Sequence, residues 1–202
     1  MKMNGTELAG TSPETLVKLK DGILSTYPVA GTRPRGATYE EDQALERELL
    51  QDEKELAEHN MLVDLARNDI GKISKIGSVK VEEYMQIHRY SKVMHIASVV
   101  SGALKAGLDA CDAVSGLLPA GTLSGAPIIR ACEIINKREP QARGTYGAAV
   151  GHLELSGNMA TCIAIRFAGK RNGKVTRKAG GGITADSVPQ TECEEATNKA
   201  GR

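Results

Sequence analysis

Two acidic pairs share one spacing, Glu55/Glu58 and Glu192/Glu195, and both fall in helix-like stretches far apart in the chain. Residues i and i+3 stand side by side on a helix, so each pair aims two carboxylates at one spot. Oxygen donors arranged in this way suit Mg²⁺, a hard cation that favours carboxylates and water and leaves room for an anionic substrate. An isolated ExxE is ordinarily a solvated helix face. What lies between the two pairs therefore decides how they are read.

The intervening chain predicts a set of elements able to hold such groups. TLVKLK, the Asp21-Gly22 dipeptide and ILSTYPVAGT have the form of a β-hairpin. Leucines at 45, 49, 56, 62 and 65 among charged residues predict a helix from Tyr39 to Asn68, closed by Gly71. Strands are expected from Ile73 to about Val100, broken by Gly77, with Gly102 and Gly107 marking a loop. Asp109 is placed to cap a short helix over 110–117. LPAGTLSGAP, 118–127, reads as a glycine-rich loop, and Pro127 stands where a helix over 128–138 begins. Three strands follow, YGAAVGHLEL, ATCIAIRFAG and KVTRKAG, the last two joined through Asn172-Gly173. A final helix from Val188 to Arg202 carries the second acidic pair. Antiparallel strands with interspersed helices make this an α+β architecture, antiparallel sheets flanked by helices, rather than a doubly wound parallel sheet.

Composition narrows the function. The 202 residues are 41% hydrophobic and 25% charged, enough for one sizeable core. A net charge of +1, without basic runs interleaved with aromatics, argues against a nucleic-acid partner. Four widely spaced cysteines, Cys111, Cys132, Cys162 and Cys193, read as reduced thiols of a cytoplasmic protein. No stretch approaches the roughly 18 apolar residues of a membrane span, and the N-terminus has no apolar signal core. With no Trp and one Phe, the core must come from aliphatic residues.

Several segments, in order along almost the whole chain, resemble the chorismate-utilising enzymes, most closely the anthranilate synthase component I type. They are SPE at 12–14, PVAGTRPRG at 28–36, DEKELAEHNMLVDLARNDIGKIS at 52–74, SKVMHIASVV at 91–100 and LPAGTLSGAP at 118–127. RGTYGAAVG at 143–151, CIAIR at 162–166, AGGGITADSVP at 179–189 and ECEEATNKA at 192–200 complete the set. The resemblance implies Mg²⁺ held by Glu58 and Glu195, with Glu55 and Glu192 binding through metal waters or completing the charge. Four acids brought together without a cation would repel one another and take up protons.

The resemblance further implies that Glu14 is the general acid that protonates the leaving ring hydroxyl, a task suited to a carboxyl kept protonated in a dry pocket. His95 is implied to be a hydrogen-bond partner or proton handler near the enolpyruvyl group. A lone His by an apolar run is otherwise more often a core residue; His59, His88 and His152 are read as structural. Chorismate is a dianion. Arg166, through its planar fork, and Tyr146 would bind the enolpyruvyl carboxylate, while Gly180, Gly181 and Gly182 would let backbone N–H groups approach an anion. Thr32 and Thr122 offer hydroxyls. Lys199 offers an ammonium towards the metal and ring carboxylate, or equally a helix ion pair to Glu195.

These enzymes differ in what adds to the ring. Aminodeoxychorismate synthases typically place a lysine before the GT pair, and here that position is Ala30. External ammonia from a glutamine amidotransferase subunit is then implied, giving anthranilate and pyruvate in tryptophan biosynthesis. Isochorismate and salicylate synthases, which use water, remain alternatives, as does a non-catalytic remnant. The resemblance extends to an incomplete domain: residues 1–202 are expected to lack N-terminal strands and the portion that holds the feedback site, with a separately encoded N-terminal piece as one expectation. Ile128 and Ala160 stand where the resemblance has Lys and Asp.

Overall fold

The computed structural model describes residues 1–185 and 187–201. The chain forms two compact units. The first comprises Met1–Glu14, Leu118–Val150 and Cys162–Arg202, and the second Thr15–Leu117 and Gly151–Thr161.

The second unit contains most of a seven-stranded sheet. Strands β3 (Thr15–Lys20) and β4 (Ile23–Thr26) form the predicted hairpin, with Asp21 and Gly22 at φ 51° and 79° as a two-residue turn of the primed type requires. β5 (Val29–Pro34) and β4 both pair with β7 (Val93–Ala103), and β6 (Lys80–Arg89) also pairs with β7. The order is β5-β7-β4-β3-β9-β8, with β8 at Ala149–Leu153 and β9 at Met159–Ile163. β7 is buried at seven of its eleven positions, as a central strand must be. Edge strand β6 is the reverse: it carries Lys80, Glu82, Glu83 and Arg89, shifts register twice, and holds Met85 at φ 52°. β8, at the other end of the sheet, exposes Leu153, and Leu155 beyond it is fully exposed.

Helices α1 (Tyr39–Leu49), α2 (Glu53–Ile73) and α3 (Ala110–Leu117) belong to the same unit, α2 packing on β5, β7 and α3. Leu49, Met94 and Ile96 form a fully buried cluster joined by Leu45, Leu56, Met85 and Ile87. Each such side chain contributes roughly 1.5–3 kcal/mol. The leucine pattern reads as one helix but is two. Asp52, accepting from the Glu55 N–H at 3.2 Å, caps α2 and stops the turn before it. Gly71 does not close α2, which runs on to Ile73 because ordinary α geometry costs an exposed glycine only about 1 kcal/mol. Gly102 is likewise inside β7 rather than a loop, lying under Ser74 where a Cβ would come within 2.4 Å of Ser74 Oγ. Asp109 caps α3 as expected, accepting from Cys111 and Asp112 N–H.

The first unit carries a four-stranded sheet, β1-β2-β10-β11, from Lys2–Met3, Thr6–Gly10, Phe167–Arg171 and Lys174–Arg177. Asn4-Gly5 and Asn172-Gly173 make its two hairpin turns, each residue at positive φ. The segment ATCIAIRFAG is not one strand. It divides into β9 and β10, which lie in different sheets, and Arg166 between them sits at φ 52°. The loop 118–127 contains the single turn α4 (Gly121–Ser124), and α5 (Ile128–Arg138) and α6 (Pro189–Gly201) complete the unit. The expected end of the last helix at Arg202 lies outside the described residues.

Candidate active site

In the second unit the chemistry gathers where β5 bulges. Gly31, at φ 65°, shifts the β5/β7 register between Ala30 and Thr32. A bulge re-aims the groups beside it. Thr32 consequently pairs with His95, its Oγ1 2.9 Å from Nδ1, and the Gly31 carbonyl lies 3.2 Å from the same nitrogen. A carbonyl oxygen can only accept, so Nδ1 carries the proton and Nε2 presents the lone pair. Tyr90 packs edge-on to the ring at 5.7 Å.

Glu55 approaches this bulge from α2: a Cβ on Gly31 would stand 3.4 Å from Glu55 Oε2. Burial, then the Glu58 carboxylate, then Asp52 push the Glu55 carboxyl above its ordinary value. The Arg33 and Lys54 charges oppose this rise without cancelling it; acids set together repel in this way, and a hard divalent cation would relieve it, so the donor chemistry fits Mg²⁺. Among the described residues, no three His, Cys, Asp or Glu form a group that could hold a metal ion.

The helices bearing these acids are pinned to β5 by arginines whose roles the sequence reading did not assign. Arg33 donates to Glu48 and Asp52 at 2.8 and 2.9 Å. Arg35 grips buried Asp42 with two bonds, at 2.7 and 2.9 Å, and the Gly36 N–H and Arg89 add to the same carboxylate. Hydrogen bonds from Arg35 and Gly36 hold Asp42 down to about 2. Gly36 is obligatory for this approach, since a Cβ would lie 2.3 Å from the Asp42 backbone nitrogen. The signal was the PRG triplet followed by an acid at the helix start. His59, read as a core histidine, is fully buried with Nε2 2.7 Å from Ser98 Oγ, and burial lowers its pKa.

In the first unit Glu14, Thr122, Tyr146 and Arg166 come together. Burial raises the Glu14 carboxyl above its ordinary value, against a hydrogen bond from Thr122 and the nearby Arg166 charge, which lower it. Tyr146 is raised by burial, and it feels Arg143, Arg166 and Glu14. Arg166 is aimed by its left-handed backbone. The Arg166–Phe167 backbone lies so close to Gly10 that a Cβ there would be 2.5 Å from the Arg166 oxygen. Arg143 was not assigned a role from sequence. It forks onto Glu139, donates to the Leu123 carbonyl at 2.8 Å, and stacks over Tyr146 at 5.9 Å, tying the Tyr146 loop to α4. The RGTYG motif contained it.

None of Gly180, Gly181 or Gly182 adopts positive φ. The first two matter for room: a Cβ on Gly180 would meet the Tyr146 hydroxyl at 3.7 Å, and one on Gly181 would crowd Glu192 Oε2 at 3.1 Å, whereas Gly182 faces open space. Glu192 and Glu195 lie on α6, and Lys199 is ion-paired with Glu195.

Comparison with known proteins shows the family. The chorismate binding enzyme family model matches residues 1–202. The chain is 59% identical over 192 residues to anthranilate synthase component 1 of Pseudomonas aeruginosa, covering 95% of this chain and 39% of that protein. Against the Acetivibrio thermocellus protein of the same name it is 54% identical, covering 99% and 40%. The chain thus spans about two fifths of the length of these relatives. Among solved structures, anthranilate synthase component I from Streptococcus pneumoniae superposes with a TM-score of 0.88 at 48% identity, covering 97% of this chain and 43% of that one. The menaquinone-specific isochorismate synthase of Escherichia coli gives 0.83 at 27%, covering 98% and 45%. An α+β chain that places Glu14, Arg166 and Tyr146 in one unit and His95 with Glu55 in the other belongs to the chorismate binding enzyme family.

Proposed function

We propose that this chain is a catalytic portion of an anthranilate synthase component I. Ammonia adds to chorismate at the ring carbon beside the carboxylate, the ring hydroxyl leaves as water, and elimination of pyruvate then gives the aromatic product. The observation that carries this reading is Glu14, a partly buried carboxyl raised by burial beside Thr122 and Arg166. Such a group keeps a proton to give to a departing hydroxyl. Arg166 and Tyr146 hold the enolpyruvyl carboxylate, and Gly180 with Gly181 leaves space for an anion. His95, its Nδ1 proton committed to Gly31, offers Nε2 as acceptor, with Thr32 fixing the ring.

Glu55 with Glu58 on α2, and Glu192 with Glu195 on α6, are the pairs that would offer oxygen donors to Mg²⁺. Bound to such a pair, the cation would offset its carboxylates and attract the substrate's ring carboxylate. Lys199 serves Glu195 as its ion-pair partner and as a second cation near that carboxylate. Ala30, buried on β5, supplies no amine, which favours external ammonia over a covalent lysine adduct. A glutamine amidotransferase subunit in the cytoplasm is the ammonia source this requires. The isochorismate alternative is less well supported, its solved relative being 27% identical against 48% for anthranilate synthase. No helix among the described residues is long and apolar enough to cross a membrane.

The test is to mix chorismate, ammonium and Mg²⁺ with the chain, alone and with the separately expressed remainder of the Pseudomonas aeruginosa relative. Ammonia-dependent anthranilate fluorescence in either mixture is the expected result. Isochorismate as the product, or no turnover in both mixtures, overturns the reading.

A further inference from the structure

His59 follows Glu58 directly and stands one helical turn beyond Glu55, on the face of α2 turned to the sheet. It is fully buried, and so is its partner Ser98 on β7. Ser98 Oγ accepts the Met85 N–H at 2.9 Å, at the point where β6 breaks register, and lies 2.7 Å from His59 Nε2. The hydroxyl keeps its proton and a second lone pair for Nε2, so this bond forms with either atom as donor, and in both tautomers it leaves Nδ1 to find another partner. That nitrogen is buried and has no partner among the described residues. An unmet buried polar nitrogen costs on the order of 1–3 kcal/mol, and an aliphatic side chain would fill the same space without that cost.

A hydrogen bond gives what an aliphatic contact cannot, which is direction. Apolar packing tolerates small rotations of a helix about its axis, whereas a bond of 2.7 Å weakens steeply once misaligned. Rotation of α2 would carry Glu55 off Gly31, whose carbonyl fixes the His95 tautomer, and Ser98 lies three residues beyond His95 on the same strand. We propose that His59 is a positioning residue: its bond to Ser98 sets the rotation of α2, and so the direction of Glu55 and Glu58 relative to His95. The inference rests on the metal assignment above only for its effect on Mg²⁺ affinity.

Three variants of the full chain test it: His59→Leu, Ser98→Ala and His59→Gln, whose amide oxygen can still accept from Ser98. In the metal-free chain, His59→Leu and Ser98→Ala are expected to shift the His95 ring ¹⁵N resonances, and His59→Gln to restore them. Calorimetry with Mg²⁺ alone is expected to show affinity about 10-fold weaker in the first two and near parent in the third, as for groups that orient metal ligands. The thermal midpoint of His59→Leu should not fall below the parent, since a core role alone would change stability and leave affinity untouched. Unmoved His95 resonances with parental Mg²⁺ affinity in His59→Leu and Ser98→Ala overturn the proposal. A parent that binds no Mg²⁺ removes the metal assignment instead, and the His95 shift then decides the clamp by itself. If His59→Leu fails to fold, Ser98→Ala, which deletes a single oxygen, decides by the same readouts.

Discussion

The two units hold their reactive groups by different means. In the second, His95 and Thr32 lie on paired strands and Glu55 on a 21-residue helix, all backed by the Leu49, Met94 and Ile96 cluster and by the Arg33 and Arg35 clamps. In the first, Glu14 lies in the connection that leads into β3, Thr122 sits on a four-residue helix, Tyr146 in a turn and Arg166 at a left-handed break between two sheets. Packed elements resist displacement with the stability of the whole core, while connections depend on a few point contacts. Damage to the second unit should therefore appear as unfolding. Damage to the first should appear as lost chemistry on an intact fold.

Glu14→Gln gives the sharpest contrast. Turnover to anthranilate should fall by about 10²- to 10⁴-fold, the usual worth of a positioned general acid. Stability should not fall with it. A carboxyl raised in the folded state loses stability as pH climbs from its unfolded value of 4.5 through the folded one. The amide removes that loss, so its thermal midpoint at pH 8 should equal or exceed the parent's. A variant that is inactive and also unstable would break the contrast.

The converse experiment is Gly36→Ala. A Cβ pressed onto the Asp42 backbone should destabilise the second unit by roughly 1–3 kcal/mol, seen as a lower urea midpoint, with turnover per folded molecule retained. Arg143→Lys is milder, because it keeps the charge and loses the fork that joins Glu139 and Leu123. A rise of about 10-fold in KM for chorismate with an unchanged urea midpoint is expected, roughly the 1.4 kcal/mol of one lost charge-assisted bond. Asp42→Asn should have the smallest effect, present at neutral pH and vanishing in acid. The depressed Asp42 stabilises the fold above its unfolded value of 3.8, and this contribution drains away as pH falls towards about 2. Parent and variant should differ in urea midpoint at pH 7 and converge near pH 2.

Legibility followed the same division. Turn dipeptides declared themselves at Asp21-Gly22 and Asn172-Gly173, and Asn4-Gly5 carried an identical signal that went unread. The Asp109 cap and the helix after Pro127 were equally plain. The division between α1 and α2 was not, because leucine periodicity continues across a break that depends on one capping carboxylate. Nor could any local pattern announce that an arginine would take positive φ at 166, since the reason lies in two sheets claiming the strands on either side. The reactive residues were found through motif resemblance rather than periodicity. Composition cannot distinguish Glu14 from any other partly buried acid. The raised carboxyl became visible once the fold buried it, against the opposing Thr122 hydrogen bond and Arg166 charge.

The unequal margins of the large sheet have a directional meaning. An incoming strand meets fixed charge and a kinked ladder along β6, which turn such partners away, whereas β8 ends the strand order with no acid, lysine or arginine of its own and with Leu153 exposed. Any lateral growth of the sheet, by more polypeptide of its own kind or by a second molecule, is therefore steered to one flank. The flank that carries the β6 bulge, and with it Ser98, stays clear.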